Sequence, residues 1–180
     1  MLHLNFSPFP QLTTERLVLR QLTIADAVAI AALRNNETVN QYLGRPKTTT
    51  ADEALLFIDK ITKGINNNKS IYWVIAFKEN NDLIGTICLW NIVAEEDTAE
   101  IGYELHPDFH GKGIMQEAMQ EVIDFGFNAM GLKVITAFTL VANIASIKSL
   151  ERNNFKLDTA GKYADAEEME GGVVYVLEKI

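Results

Sequence analysis

An alternating strand, a lysine turn flanked by glycines, a long amphipathic helix and an apolar strand follow one another between residues 98 and 142. No other stretch restricts the fold as strongly. Thr98 to Leu105 ends just before His106-Pro107-Asp108-Phe109-His110-Gly111-Lys112-Gly113-Ile114-Met115. The helix runs from about Gly113 to Met130, with Met115, Ala118, Met119, Val122 and Gly126 on one face, and Gly131 stops it. Leu132 to Ala142 is nearly continuously apolar and β-rich, as a strand buried on both faces is. A right-handed helical crossover makes the two strands parallel neighbours. The turn has no Ser, Thr or Asn beside its glycines to cap the helix, so the first N–H groups lack an internal partner. Open N–H groups, a positive dipole end, Lys112 and glycines that admit a ligand to the backbone make an anion-binding turn. Such a turn suits the phosphates of a nucleotide-like cofactor. An ordinary strand-to-helix turn is the other reading of these residues taken alone.

The rest of the chain builds around that unit. Residues 1–12 hold Pro8 and Pro10 and form an irregular lead-in. Arg16 to Leu22 is a strand, and Thr23 caps a helix with Ala27, Ile30, Ala31 and Leu33 as its apolar stripe. Residues 37–49 form a loop or a short helical piece, and a second helix spans Thr50 to Gly64 with Leu55, Phe57, Ile58 and Ile61 apolar. Ser70 to Phe77, Leu83 to Val93 and Thr98 to Leu105 are strands joined by short turns, which predicts an antiparallel meander. After the unit at 98–142 come a short helix, Asn143 to Asn153, and a closing strand pair, Phe155 to Asp165 and Val173 to Ile180. The order is β-α-α-β-β-β-α-β-α-β-β. It predicts an α/β (α+β) fold with a mixed, mostly antiparallel central sheet flanked by helices, in one domain over residues 1–180.

Composition excludes several function classes. A net charge of -8 argues against nucleic-acid binding, which needs clustered Lys and Arg. It mildly favours a cationic substrate, although an acidic solvated surface accounts for it too. Cys88 is the only cysteine, so no intrachain disulfide forms, and its apolar neighbours make it a core residue. The N-terminus lacks a signal-peptide pattern, and no apolar run approaches the about 18 residues of a membrane span. A soluble cytoplasmic protein without membrane partners is expected. His106, His110 and Glu104 do not make the helical His-Glu-x-x-His arrangement, because Pro107 breaks any helix there. No metal is expected.

Ala99-Glu100-Ile101-Gly102-Tyr103-Glu104-Leu105, the turn His110 to Met115, and Asn143-Ile144-Ala145-Ser146 followed by Leu150 to Phe155 resemble the GNAT superfamily of acetyl-CoA-dependent N-acetyltransferases. Thr14-Glu15-Arg16-Leu17-Val18-Leu19-Arg20 resembles its RimJ/RimL-like branch, which acetylates N-terminal amines of ribosomal proteins and includes members with other amine substrates. The likeness runs from about residue 13 to the C-terminus. It implies acetyl-CoA as cosubstrate, without metal, and a primary amine as acceptor: a protein N-terminal α-amine, or alternatively a polyamine, an aminoglycoside or a metabolite. A CoA-binding module without catalysis is the rival outside enzymes. A monomer or a homodimer is compatible with the likeness.

The resemblance also assigns residues. Leu105, His106, His110, Gly111, Lys112, Gly113, Ile114 and Met115 would cradle the cofactor, with the pyrophosphate on the turn. Asn143, which caps the last helix locally, would also contact the pantetheine arm. The family pattern has Gln or Arg at the position of His110 and Gly or Ala at that of Met115, so Met115 must point into the core. An amine acceptor arrives protonated, with a reference pKa of about 7.7–8.0 for an α-amine, and must lose that proton to attack a thioester. Alternation places Glu100, Gly102 and Glu104 on one face and Ile101, Tyr103 and Leu105 on the other. Glu100 is the candidate base and Glu104 the weaker one. Many members carry a tyrosine acid where this chain has Leu150. Ser146 is therefore the candidate proton donor to the leaving thiolate, with Tyr103 and Tyr163 as substitutes. The oxyanion would rest on a backbone N–H where the strand at 98–105 splays from its parallel neighbour. Tyr42 and Arg45 would line the acceptor side.

Overall fold

The computed structural model describes residues 2–47, 50–163 and 170–179. Strands β1 (Leu12–Thr13) and β2 (Leu17–Gln21) open the chain, followed by helices α1 (Ala27–Asn35), α2 (Glu37–Asn40) and α3 (Ala51–Asn66). Strands β3 (Ile71–Phe77), β4 (Leu83–Val93) and β5 (Thr98–Leu105) form the meander. Helix α4 (Ile114–Asp124), strand β6 (Val134–Leu140), helix α5 (Ile144–Arg152) and strands β7 (Lys156–Leu157) and β8 (Gly172–Glu178) complete it. Among the described residues the strands form one eight-stranded sheet in the order β1-β2-β3-β4-β5-β6-β8-β7. Every neighbouring pair is antiparallel except β5 and β6, which are parallel, as the crossover helix requires.

Helices cover both faces of the sheet. Tyr72 of β3 meets Phe57 of α3 edge-on at 5.8 Å, which places α3 and its partner α1 on one face. Trp73, fully buried, meets Phe125 at 5.4 Å and Phe9 at 6.3 Å on the other. This double cover leaves β3 with no alternation of buried and exposed side chains. Ile71 to Ala76 are all buried, because both faces of a central strand are dry here.

Beyond ends that shift by one or two residues, the structure differs from the expected elements in these places. The lead-in contributes β1, which pairs with Val18 and Leu19 as an edge strand too short to carry a pattern. The helix over 113–130 is α-helical only to Asp124 and π-helical over Phe125–Met130. There a side chain at Gly126 would press within about 3.3 Å of Leu89, Leu132 and Ile135, so the chain lies close on the sheet. In α3 the expected Ile58 is buried and Phe57 and Ile61 pack against the core, with Ala54 and Ile65 extending the stripe, while Leu55 faces solvent. The strand expected over Phe155 to Asp165 is only Lys156–Leu157. Asp158 folds the chain over at that point, its carboxylate accepting from the Tyr163 N–H at 2.8 Å. The end of that expected strand, 164–165, lies outside the described residues. No helix among the described residues is long and apolar enough to cross a membrane.

Candidate active site

The turn between β5 and α4 opens with a short 3-10 segment, Pro107–Phe109, and then reverses through Gly111 and Gly113, both at φ +73°. That left-handed geometry is easy only for glycine. A side chain at Gly111 would meet nothing within 4 Å, so this side of the turn is open. Gly113 is the N-cap of α4 and supplies no side-chain cap. The backbone N–H groups of Gly111 through Gln116 find no acceptor among the described residues; the first turn-closing bond is Glu117 N–H to the Gly113 carbonyl at 3.1 Å. Unclaimed donors at the positive end of an eleven-residue helix are a phosphate-sized anion site. Lys112 is exposed, with its ammonium over the Phe109 ring at 5.5 Å. Met115 is buried, so it leaves the turn clear. His110 Nε2 lies 2.9 Å from the Leu105 carbonyl and ties the turn to the end of β5.

Glu117 is an acid in the first turn of α4, where it would repel a phosphate. It is neutralised from the N-terminal segment. Arg16 contacts its Oε2 through Nε at 2.7 Å, the Arg16 N–H donates to Oε1 at 2.9 Å, and the Thr14 hydroxyl donates to Oε1. Burial pushes the Glu117 carboxyl up, but these hydrogen bonds outweigh it and hold the group below its ordinary range. Arg16 Nη1 also donates to the Lys112 carbonyl at 3.1 Å. None of these contacts was anticipated. The available signal was an acidic residue at the mouth of an anion site, which demands a counter-ion.

Strands β5 and β6 pair only at Thr98↔Val134, Ala99↔Ile135 and Glu100↔Thr136. Beyond Glu100 they part, while β5 stays paired with β4 to Leu105. β5 runs along the gap as far as Leu105, and the glycine turn follows it. Cross-strand partners share a face, so Glu100 stands beside Trp90, and Gly102 and Glu104 beside Cys88 and Thr86. This is the α1/α3 face. Glu100 is half-buried and Trp90 is 48% exposed, which makes the tryptophan a wall of the cleft.

On the opposite face Tyr103 reaches α5, and its hydroxyl lies 2.7 Å from Ser146 Oγ. Burial pushes the Tyr103 phenol up to about 12, against the lowering effect of the Ser146 hydrogen bond. Asn143 accepts the Ser146 N–H at 3.2 Å, as a helix cap should, which leaves its amide nitrogen for a ligand. Leu150 is fully buried in the core. The sequence reading held Tyr103 and Ser146 as rivals; the fold brings them together as a pair.

Glu104 has a different setting. It is held by both terminal nitrogens of Arg45, one at 2.6 Å, with Arg34 Nη1 at 4.0 Å. Arg45 also donates to Asn40 Oδ1 at 3.1 Å, so the ion pair ties the loop after α2 to β5. A carboxylate clamped in this way is a structural anchor before it is a base. Cys88 packs against Gly102, and burial pushes its thiol up to about 12, with Glu104 and Glu100 adding to the rise against a Gly102 backbone hydrogen bond. Such a thiol is protonated at neutral pH and is a poor nucleophile. His106 Nδ1 faces Asp108 and His110 faces Leu105, and among the described residues no three His, Cys, Asp or Glu side chains form a metal-sized cluster.

Comparison with known proteins agrees with this geometry. Residues 16–156 match the family described as "Acetyltransferase (GNAT) domain". The N-acetyltransferase YoaA of Bacillus subtilis is 34% identical over 148 residues, covering 82% of this chain and 84% of YoaA. Among solved structures, RimL, a ribosomal L7/L12 α-N-protein acetyltransferase in complex with coenzyme A, superposes with a TM-score of 0.82 at 22% identity, covering 94% of this chain and 98% of RimL. The microcin C7 self-immunity acetyltransferase MccE, in complex with acetyl-CoA and AMP, gives 0.78 at 23% identity, covering 92% and 93%. With a family match over most of its length and a close relative of that class, the chain belongs to the GNAT N-acetyltransferases.

Proposed function

We propose that this enzyme moves an acetyl group from acetyl-CoA to a primary amine by direct attack within a ternary complex, and that a protein N-terminal α-amine is its acceptor. The observation that carries the reading is the run of unclaimed N–H groups from Gly111 to Gln116, which follows the strand that parts from β6 beyond Glu100. The pyrophosphate of CoA would rest on that turn, with Lys112 adding charge. The pantetheine arm would run past Leu105, His106 and Asn143 into the gap. There the thioester carbonyl would face the unpaired edge of β5, whose N–H groups can stabilise the oxyanion.

Glu100 would take the proton from the arriving ammonium, directly or through a water. The freed amine attacks the carbonyl carbon, the C–S bond breaks, and Ser146 serves the departing sulfur. Cys88, mid-strand and protonated, supports the absence of a covalent acyl-enzyme. The acceptor assignment draws on the likeness to RimL. Acetyl-CoA turnover against a panel of peptide N-termini, polyamines and aminoglycosides tests it. Release of CoA with peptides and not with the small amines is expected; a preference for the small amines replaces the acceptor, and no turnover with any amine overturns the reading. In a folded Gly113→Asp variant, acetyl-CoA affinity should fall at least tenfold, and unchanged affinity would sink the phosphate assignment.

A further inference from the structure

Tyr103 and Ser146 meet across the gap that opens when β5 and β6 part. Tyr103 is on β5, past the last shared rung at Glu100, and Ser146 is in the first turn of α5, the element that follows β6. Their hydroxyl oxygens are 2.7 Å apart. The serine backbone is fixed from below by Asn143 at 3.2 Å. The close acceptor for the phenol hydrogen is Ser146 Oγ; among the described residues the other is the Ser146 carbonyl at 3.5 Å. If the phenol donates to Oγ, the serine's own hydrogen must point elsewhere, and the gap is where it has room.

We propose that Tyr103 is a positioning residue for the leaving-group step: its O–H donates to Ser146 Oγ and so directs the serine hydrogen toward the thioester sulfur. The inference rests on the reading of Ser146 given above. The amine, its ammonium proton already taken by Glu100 and passed on to solvent, bonds through nitrogen to the carbonyl carbon, and the second proton that this nitrogen must lose goes to the regenerated Glu100 carboxylate. The C–S bond breaks with its electron pair going to sulfur. The sulfur leaves as a thiolate held by the Ser146 hydrogen bond and is protonated afterwards by solvent. A hydrogen bond suffices, because a thiol of pKa about 8.5, with cysteine as the guide, is already a fair leaving group. Burial keeps the Tyr103 proton in place through the neutral range, so the phenol retains a hydrogen to donate to the serine.

A double-mutant cycle on the whole enzyme tests this, with kcat and KM for acetyl-CoA, single-turnover rates and a melting curve for Tyr103→Phe, Ser146→Ala, Ser146→Thr and the Phe–Ala double variant. Phe keeps the ring in the wall of the gap. Expected results are a roughly tenfold loss of kcat in Tyr103→Phe with KM within about twofold, a double variant no slower than Ser146→Ala alone, and rescue of most of the rate by Ser146→Thr. If Ser146→Ala is slow and Tyr103→Phe runs at the wild-type rate, the proposal fails and the serine reading survives. A Tyr103→Phe loss confined to KM and melting temperature makes the pair a structural tie and also overturns the proposal, as does full additivity in the double variant. If Ser146→Ala itself keeps the wild-type rate, the underlying serine reading falls first.

Discussion

Glu100 and Glu104 are the same residue type on the same face of the same strand, four residues apart, and they are set up for different work. Glu104 is occupied by Arg45, with Arg34 nearby, and anchors the loop after α2. Glu100 is at the last rung that β5 shares with β6, beside the opening cleft and opposite Trp90. A base for the ammonium proton is needed only while the acceptor arrives protonated. Glu100→Gln is therefore expected to lower kcat by about 10- to 100-fold below the pKa of the acceptor amine, and progressively less above it, where solution supplies free amine. A kcat profile from pH 6 to pH 10 checks this, and a deficit that is flat with pH would remove Glu100 as the base. Alternation along β5 was enough to place both carboxylates on one face. The family resemblance already ranks Glu100 above Glu104 as candidate base; that Glu104 is an anchor was not legible, because Arg34 and Arg45 arrive from 59 to 70 positions away in sequence.

At the level of elements, the glycine turn depends on a segment almost a hundred residues upstream. Thr14 and Arg16, ahead of β2, hold Glu117 in the first turn of α4, and Arg16 reaches on to the Lys112 carbonyl. The staple does two things: it fixes the approach of β2 to α4, and it cancels a negative charge at the mouth of the phosphate site. Because the folded carboxyl of Glu117 lies below its unfolded value, its contribution to stability is full above about pH 4.3 and is lost as pH falls through the folded value. Glu117→Gln should thus lower the urea midpoint at pH 7, and the gap from wild type should narrow toward pH 3. CoA affinity should fall by several-fold as the turn loosens. A gap independent of pH would mean that packing, and not the charge, is what Glu117 contributes. The glycines, the helix and its buried face were visible in residues 111–122, since periodicity and turn chemistry are local. The staple was not, since it joins segments whose proximity exists only after the sheet has formed.

Over the whole molecule, the meander, the crossover helix and the parallel pair were all legible. Short turns and a right-handed crossover leave few alternatives, and β4 and β5 carry the expected boundaries. What escaped was where hydrophobic pattern is weakest: the two-residue β1, the π-helical end beyond α4, and the early reversal at Asp158 that leaves β7 short. The gap between β5 and β6 was expected only through the family resemblance, because no residue pattern states where two strands stop pairing. That gap has a consequence for cooperativity. The sheet is continuous by antiparallel ladders from β1 to β5 and again through β6, β8 and β7, but the two parts share only the rungs from Thr98 to Glu100. The C-terminal part is therefore poised to open as its own unit, and its amides should exchange with deuterium together, ahead of those in β3 and β4. A ligand that touches both sides of the seam would weld them. At about 100 times its dissociation constant, CoA should slow exchange in β6 and β8 by up to about 2.7 kcal/mol worth of protection, far more than in β2. Equal slowing everywhere would mean that the seam does not breathe separately from the rest of the fold.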